Sequence, residues 1–149
     1  MKAINLTPKQ QMMYNYPKPK KGLAVDCGSL SGKNPGIFEY CIVDIETNKK
    51  ILNHTIQGNT TNNIAEFLAL VEALKLTYDN PNVITYSDSL TALAWVRNKA
   101  IKTTFTITNT NQLQQIYNAI IFLKTQTYTP PLFWNNSLFG ETPADYGNK

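Results

Sequence analysis

The chain has 149 residues, 42% of them hydrophobic and 16% charged, which is enough for one domain with a core and too little for several. No apolar run is long enough to span a bilayer, and the opening residues MKAINLTPKQ have no apolar stretch of signal-peptide length, so a membrane protein and a secreted one are set aside in favour of a soluble, cytoplasmic protein; a monomer is expected. The formal net charge of +4 tilts the expectation towards polyanionic partners. Cys27 and Cys41 match no metal-ligand spacing and no disulfide framework, and both are expected to pack as small hydrophobes in a reducing compartment.

Residues 1–21 carry Pro8, Pro17 and Pro19 with Lys9, Lys18, Lys20 and Lys21, show no sustained period, and read as a flexible basic tail; Tyr14 and Tyr16 are available there for base stacking. Residues 22–149 form the expected domain. Its first strand is Leu23 to Ser29, LAVDCGS, and the turn residues SGKNPG (Ser31 to Gly36) send the chain back into a second strand from Ile37 to Ile45. A polar turn leads to a third strand, Lys50 to Gln57, completing an antiparallel meander. After GNTTNN, Ile64, Phe67, Leu68, Val71 and Leu74 recur at helical spacing. Asn63 with Glu66 matches a capping box, so a helix is predicted from Asn63 to about Thr77. Asn82 to Ser87 is a β-branched fourth strand, and Ser89 to Asn98 a second helix. Thr103 to Thr110 is ambiguous, Asn111 to Lys124 is an amphipathic helix, and Leu132 to Trp134 a last short strand. Trp95 and Trp134 are expected in the core rather than on a base-stacking surface. Three strands followed by helix, strand, helices and strand imply a mixed sheet with helices on both faces.

Asp26 is the residue that this arrangement does not explain on its own. It sits in an apolar run that reads as a buried central strand, where an unpaired carboxylate costs several kcal/mol. No Lys or Arg lies within four residues downstream of it. Other acids each have an ordinary structural role available: Glu66 as the third-position acid of a capping box, Asp88 as an N-cap, and Asp145 as a third-position acid after Thr142 and Pro143. If the first and fourth strands are neighbours, however, Asp26 and Asp88 lie at one rim of the sheet, and the helix and the terminal segment bring Glu66 and Asp145 towards it. Carboxylates that converge in this way call for a hard, oxygen-seeking cation such as Mg²⁺ or Mn²⁺. Two such ions can bracket a phosphodiester.

The Asp-containing first strand, the Asn34-Pro35-Gly36 turn, Thr60 to Asn63 placed three residues before Glu66, Ser-Asp-Ser at the end of the fourth strand, and Ala144-Asp145 together resemble the type 1 ribonuclease H family in order and spacing. The resemblance runs from about Lys21 to the end. It implies a ribonuclease H-like α/β fold: a five-stranded mixed sheet, three antiparallel strands then parallel ones, with helices on both faces. It implies that Asp26, Glu66, Asp88 and Asp145 hold two Mg²⁺ ions, with Mn²⁺ as a possible substitute. It further implies that Asn34, Asn62 and Asn63 sense RNA 2′-hydroxyls in the minor groove and that Thr61 seats a DNA-strand phosphate. An amide both donates and accepts, as a 2′-hydroxyl does, and the A-like minor groove is wide enough to admit it.

The activity so implied is metal-dependent endonucleolytic hydrolysis of the RNA strand of RNA–DNA hybrids, leaving 5′-phosphate and 3′-hydroxyl ends. Two alternatives stand beside it: a non-catalytic hybrid- or double-stranded-RNA-binding module, and another nuclease of the same superfold, a resolvase or an exonuclease. The chain departs from the family pattern in three places. The loop before the last acid has no histidine, and Asn135, Asn136 or Glu141 is left to take that position, His54 being read as a strand residue. The basic protrusion is reduced to Arg97, Lys99 and Lys102. Only four residues follow Asp145, too few for a full terminal helix, which leaves Asp145 as the ligand with the weakest local support.

Overall fold

The computed structural model of the chain describes residues 7, 8 and 17–145. Most of the expected basic tail, including Tyr14 and Tyr16, therefore lies outside the described residues. Five strands, β1 (Leu23–Ser29), β2 (Phe38–Asp44), β3 (Lys49–Thr55), β4 (Thr85–Ser87) and β5 (Leu132–Phe133), form one sheet in the order β3-β2-β1-β4-β5. Among the described residues the helices taking part in the fold are α1 (Asn62–Thr77), α2 (Leu90–Asn98), α3 (Thr110–Thr125) and the single turn α4 (Asn136–Phe139).

The apolar run LAVDC of β1 is buried along its length because β1 is the middle strand, antiparallel to β2 on one side and parallel to β4 on the other. The antiparallel β3 forms one edge; Ile51 on it is 49% exposed, and Lys49 and Lys50 begin it with charges that discourage pairing with another chain. His54 lies on this edge strand, its ring 5.4 Å from that of Tyr40.

Strand alternation divides the chain between two faces. Leu23, Val25, Cys27, Tyr40 and Ile42 face the main core, together with α1, α2 and α3. The helix α1 is buried from Ile64 to Val71 without interruption, which makes it the central helix, with β1 and β2 beneath it and α2 and α3 beside it. On the other face Ala24, Cys41 and Val43 pack with Ala144 from the C-terminal segment. Trp134, fully buried, stacks edge-on with Tyr86 and with Phe139 of α4 and donates its indole N–H to the Gly140 carbonyl at 2.9 Å. Among the described residues the second face is thus closed by α4 and the C-terminal segment.

Local differences from the predicted elements have identifiable causes. The fourth strand is shorter than Asn82–Ser87 because Val83 N–H is taken by Asn80 in a turn, and parallel pairing starts where the Ile84 carbonyl accepts Leu23 N–H at 2.9 Å. The ambiguous Thr103–Thr110 stretch forms no regular element before Asn109, whose side chain caps α3. At Thr142 the chain makes a turn, closed by Asp145 N–H to the Thr142 carbonyl at 2.9 Å, where a helix was expected to start. No helix of the described residues is long and apolar enough to cross a membrane.

Candidate active site

The parallel register Val25↔Ser87 places the next residue of each chain segment, Asp26 and Asp88, side by side at one rim of the sheet. One turn into α1, Glu66 reaches the same place from the main-core side. One oxygen from each of Asp26, Glu66 and Asp88 lies within 4.8 Å of the others. Asp26 is 8% exposed and Glu66 3%, and Asp88 is half-buried. Among the described residues no Lys or Arg comes within ion-pair distance of these acids.

The ordinary capping roles open to these acids are taken by neighbours. The N-cap of α1 is Thr61, whose hydroxyl accepts Ile64 N–H at 3.2 Å, so Glu66 lies beyond the first turn and the Asn63–Glu66 capping box does not form. Ser89 caps α2 through Ala92 N–H at 3.1 Å, which releases Asp88. Instead, Asp88 Oδ2 accepts the Asn136 amide at 2.9 Å. Of the three residues considered for the loop position, Asn136 is the one that reaches the cluster; Asn135 caps α4 and Glu141 is exposed.

Glu66 is held asymmetrically. Its Oε1 accepts Cys27 N–H at 3.2 Å and the Cys27 thiol at 3.0 Å, whereas its Oε2 is buried and accepts no N–H, hydroxyl or thiol. Burial first, and then the Glu66 carboxylate, push Asp26 up to about 9, with Asp88 adding to the effect. Glu66 is raised as well, by burial, against hydrogen bonds from Asp26 and Cys27 that lower it. Burial, followed by the charge of Glu66, pushes the Cys27 thiol far up, so it remains a protonated donor. A crowded set of hard oxygen donors, one of them a buried carboxylate oxygen that takes no N–H, hydroxyl or thiol, with no basic partner, fits a divalent cation, which would replace the proton that Asp26 shares with Glu66.

Asp145 is not one of the clustered carboxylates. Its segment is nevertheless anchored beside Asp26: the Ala144 carbonyl accepts the Cys41 thiol at 3.3 Å, and Cys41 is the cross-strand partner of Asp26. The amide residues form a second group. Asn34 Oδ1 accepts Asn62 N–H at 3.0 Å, and the Gly36↔Thr60 bridge ties their two loops together. Gly36 permits this approach, because a Cβ there would collide with Ser31 Oγ and lie 2.7 Å from the Lys33 carbonyl oxygen. The Asn34–Pro35 peptide bond is cis. Asn34, Asn62 and Asn63 are exposed, and Thr61 is half-buried by its capping role. Arg97 in the last turn of α2 and Lys99 and Lys102 beyond it are exposed.

Sequence reasoning missed Cys27, which was expected to be a passive core residue. The available signal was strand alternation, which turns Cys27 away from Asp26 and towards the helix that carries Glu66.

The sequence matches the RNase H family over residues 19–129. The chain belongs to the RNase H family. The matched region contains Asp26, Glu66, Asp88 and the four polar residues at and before the start of α1, and ends before β5, Asn136 and Asp145. Solved structures similar to this RNase H family chain include RNase H1 from the halophilic archaeon Halobacterium salinarum NRC-1, at 20% identity, with 78% of this chain and 86% of that one covered and a TM-score of 0.49. LC11-RNase H1, solved in complex with an RNA/DNA hybrid, is 22% identical over 75% of this chain and 81% of its own, with a TM-score of 0.44. The N-terminal RNase H domain of rv2228c from Mycobacterium tuberculosis is 19% identical over 76% and 86%, again with a TM-score of 0.44.

Proposed function

We propose that this chain is a divalent-cation-dependent endoribonuclease that hydrolyses the RNA strand of RNA–DNA hybrids and leaves 5′-phosphate and 3′-hydroxyl ends. The observation that carries the reading is the convergence of Asp26, Glu66 and Asp88 to within 4.8 Å without a basic partner, in a member of the RNase H family. These three acids would hold two Mg²⁺ ions, or Mn²⁺ in their place, with Asp145 as a fourth ligand from the anchored C-terminal segment. Bound there, such ions would supply an activated water and stabilisation of the leaving 3′-oxygen.

The chain's own side chains have distinct tasks in this reading. Asp26 and Glu66 give up their shared proton when the site fills, and the Asn136 amide keeps Asp88 Oδ2 in one orientation. Asn34, Asn62 and Asn63 lie together at the solvent-exposed corner where the Ser31–Gly36 turn meets the start of α1. Their amides suit a 2′-hydroxyl, which donates and accepts. Thr61 stands next to them for a DNA-strand phosphate, and Arg97, Lys99 and Lys102 add sequence-independent attraction to the backbone.

End-labelled RNA–DNA, RNA–RNA and DNA–DNA duplexes incubated with Mg²⁺, Mn²⁺ or EDTA test the proposal. Internal cleavage of the RNA strand of the hybrid alone, lost in EDTA, is the expected result. Equal cleavage of DNA–DNA would point to another nuclease of the superfold, and hybrid binding without cleavage under either cation to a binding module.

A further inference from the structure

We infer that Cys27 is a positioning residue whose thiol, together with its own backbone N–H, fixes Glu66 Oε1 and so turns Oε2 alone towards the cation; this rests on the cation-site reading above. A glutamate side chain rotates readily about its last bond, and either oxygen can serve as a ligand. Here the two differ: Oε1 accepts both Cys27 donors, the backbone N at 3.2 Å and Sγ at 3.0 Å, and Oε2, in a residue 3% exposed, accepts no N–H, hydroxyl or thiol. Two donors from one residue define the plane of the carboxylate in a way that the backbone N–H alone does not. The thiol carries one proton and has other acceptors near it, Asn62 Oδ1 at 3.3 Å and the Asn62 carbonyl at 3.7 Å, and Glu66 is the closest. Strand alternation makes this geometry available at Cys27, next to Asp26 but on the opposite face of β1.

Cys27→Ala removes the thiol donor and keeps the backbone one, and Cys27→Ser keeps a donor in nearly the same space. Mn²⁺ binding to the full chain without nucleic acid, followed by titration calorimetry, provides a readout independent of turnover. Loss of an outer partner of a ligating carboxylate weakens metal binding 10–100-fold in general, and because the thiol is a weak donor and the N–H remains, about tenfold is expected for Cys27→Ala. Cys27→Ser should bind Mn²⁺ close to the wild-type affinity, and the Mg²⁺ dependence of hybrid cleavage by Cys27→Ala should move to higher concentration with its plateau largely kept. Unchanged Mn²⁺ affinity in Cys27→Ala overturns the inference, as does equal weakening in the Ala and Ser variants, which would mean that sulfur fills space and nothing more. Asp26→Asn is the control: if it too binds Mn²⁺ as the wild type does, the cation site itself is misassigned and the inference falls with it.

Discussion

Replacing Asp26 by Asn removes one charge from the crowded rim with little change of shape, and its effect on stability can be worked out from the site. In the folded chain the Asp26 carboxyl is raised from 3.8 to about 9. Between those values the folded state holds a proton that the unfolded state has released, so without a divalent cation stability falls as pH rises through that window. At pH 7 the distance from 3.8 is about three units, or ~4 kcal/mol at ~1.4 kcal/mol per unit. The substituted amide would still be desolvated and would still face Glu66, and half-buried Asp88 leaves one side of the rim partly exposed, so roughly half of that, about 2 kcal/mol, should be recovered. For a chain of this length such a gain raises Tm by about 4–8 °C. Thermal unfolding in EDTA at acidic, neutral and alkaline pH should show Asp26→Asn more stable than wild type at neutral pH, the gap closing at the acid end. Saturating Mg²⁺ should reverse the order, because the wild type alone gains stability from binding. Hybrid cleavage by the variant should be abolished. A variant no more stable than wild type in EDTA at neutral pH, with the same pH dependence, would refute the reasoning.

The other predictions concern single contacts. Thr61→Ala should cost about 1 kcal/mol of stability, measured by urea unfolding, because it removes the cap of α1. Asn63→Ala should leave stability nearly unchanged and weaken hybrid binding, with less effect on hybrids 2′-deoxy-substituted near the scissile position; equal losses on both substrates would remove Asn63 from the readers. Asn136→Ala deletes the donor to Asp88 Oδ2, and about a tenfold loss of cleavage at limiting Mg²⁺, partly restored at higher concentration, is expected. Asp145→Asn should depress Mg²⁺-dependent cleavage sharply; full activity in this variant alongside an inactive Asp26→Asn would define a three-carboxylate site.

The sequence by itself determined the central strand, since LAVDC is too apolar for any other place, and it marked Asp26 as an acid needing compensation. It also placed Asp88 at a strand end and Leu113, Ile116, Ile120 and Leu123 on a helix, because the periods of two and 3.6 residues are local properties. What it could not choose was between local rules that both applied. Thr61 and Asn63 are each competent N-caps, and the packing of α1 against β1 and β2 decided the matter by setting where the helix begins. Asp88 likewise reads from the sequence as the cap of α2, whereas the parallel pairing of β4 with β1 directed it to the rim and Ser89 took the cap. The contacts that shape the site span long separations, 39 residues from Cys27 to Glu66 and 48 from Asp88 to Asn136. No periodicity encodes such pairs. They exist because the sheet order brings the end of β1, the end of β4 and the first turns of α1 and α4 to one place, and a hydrogen bond of about 3 Å is settled only once those elements have packed.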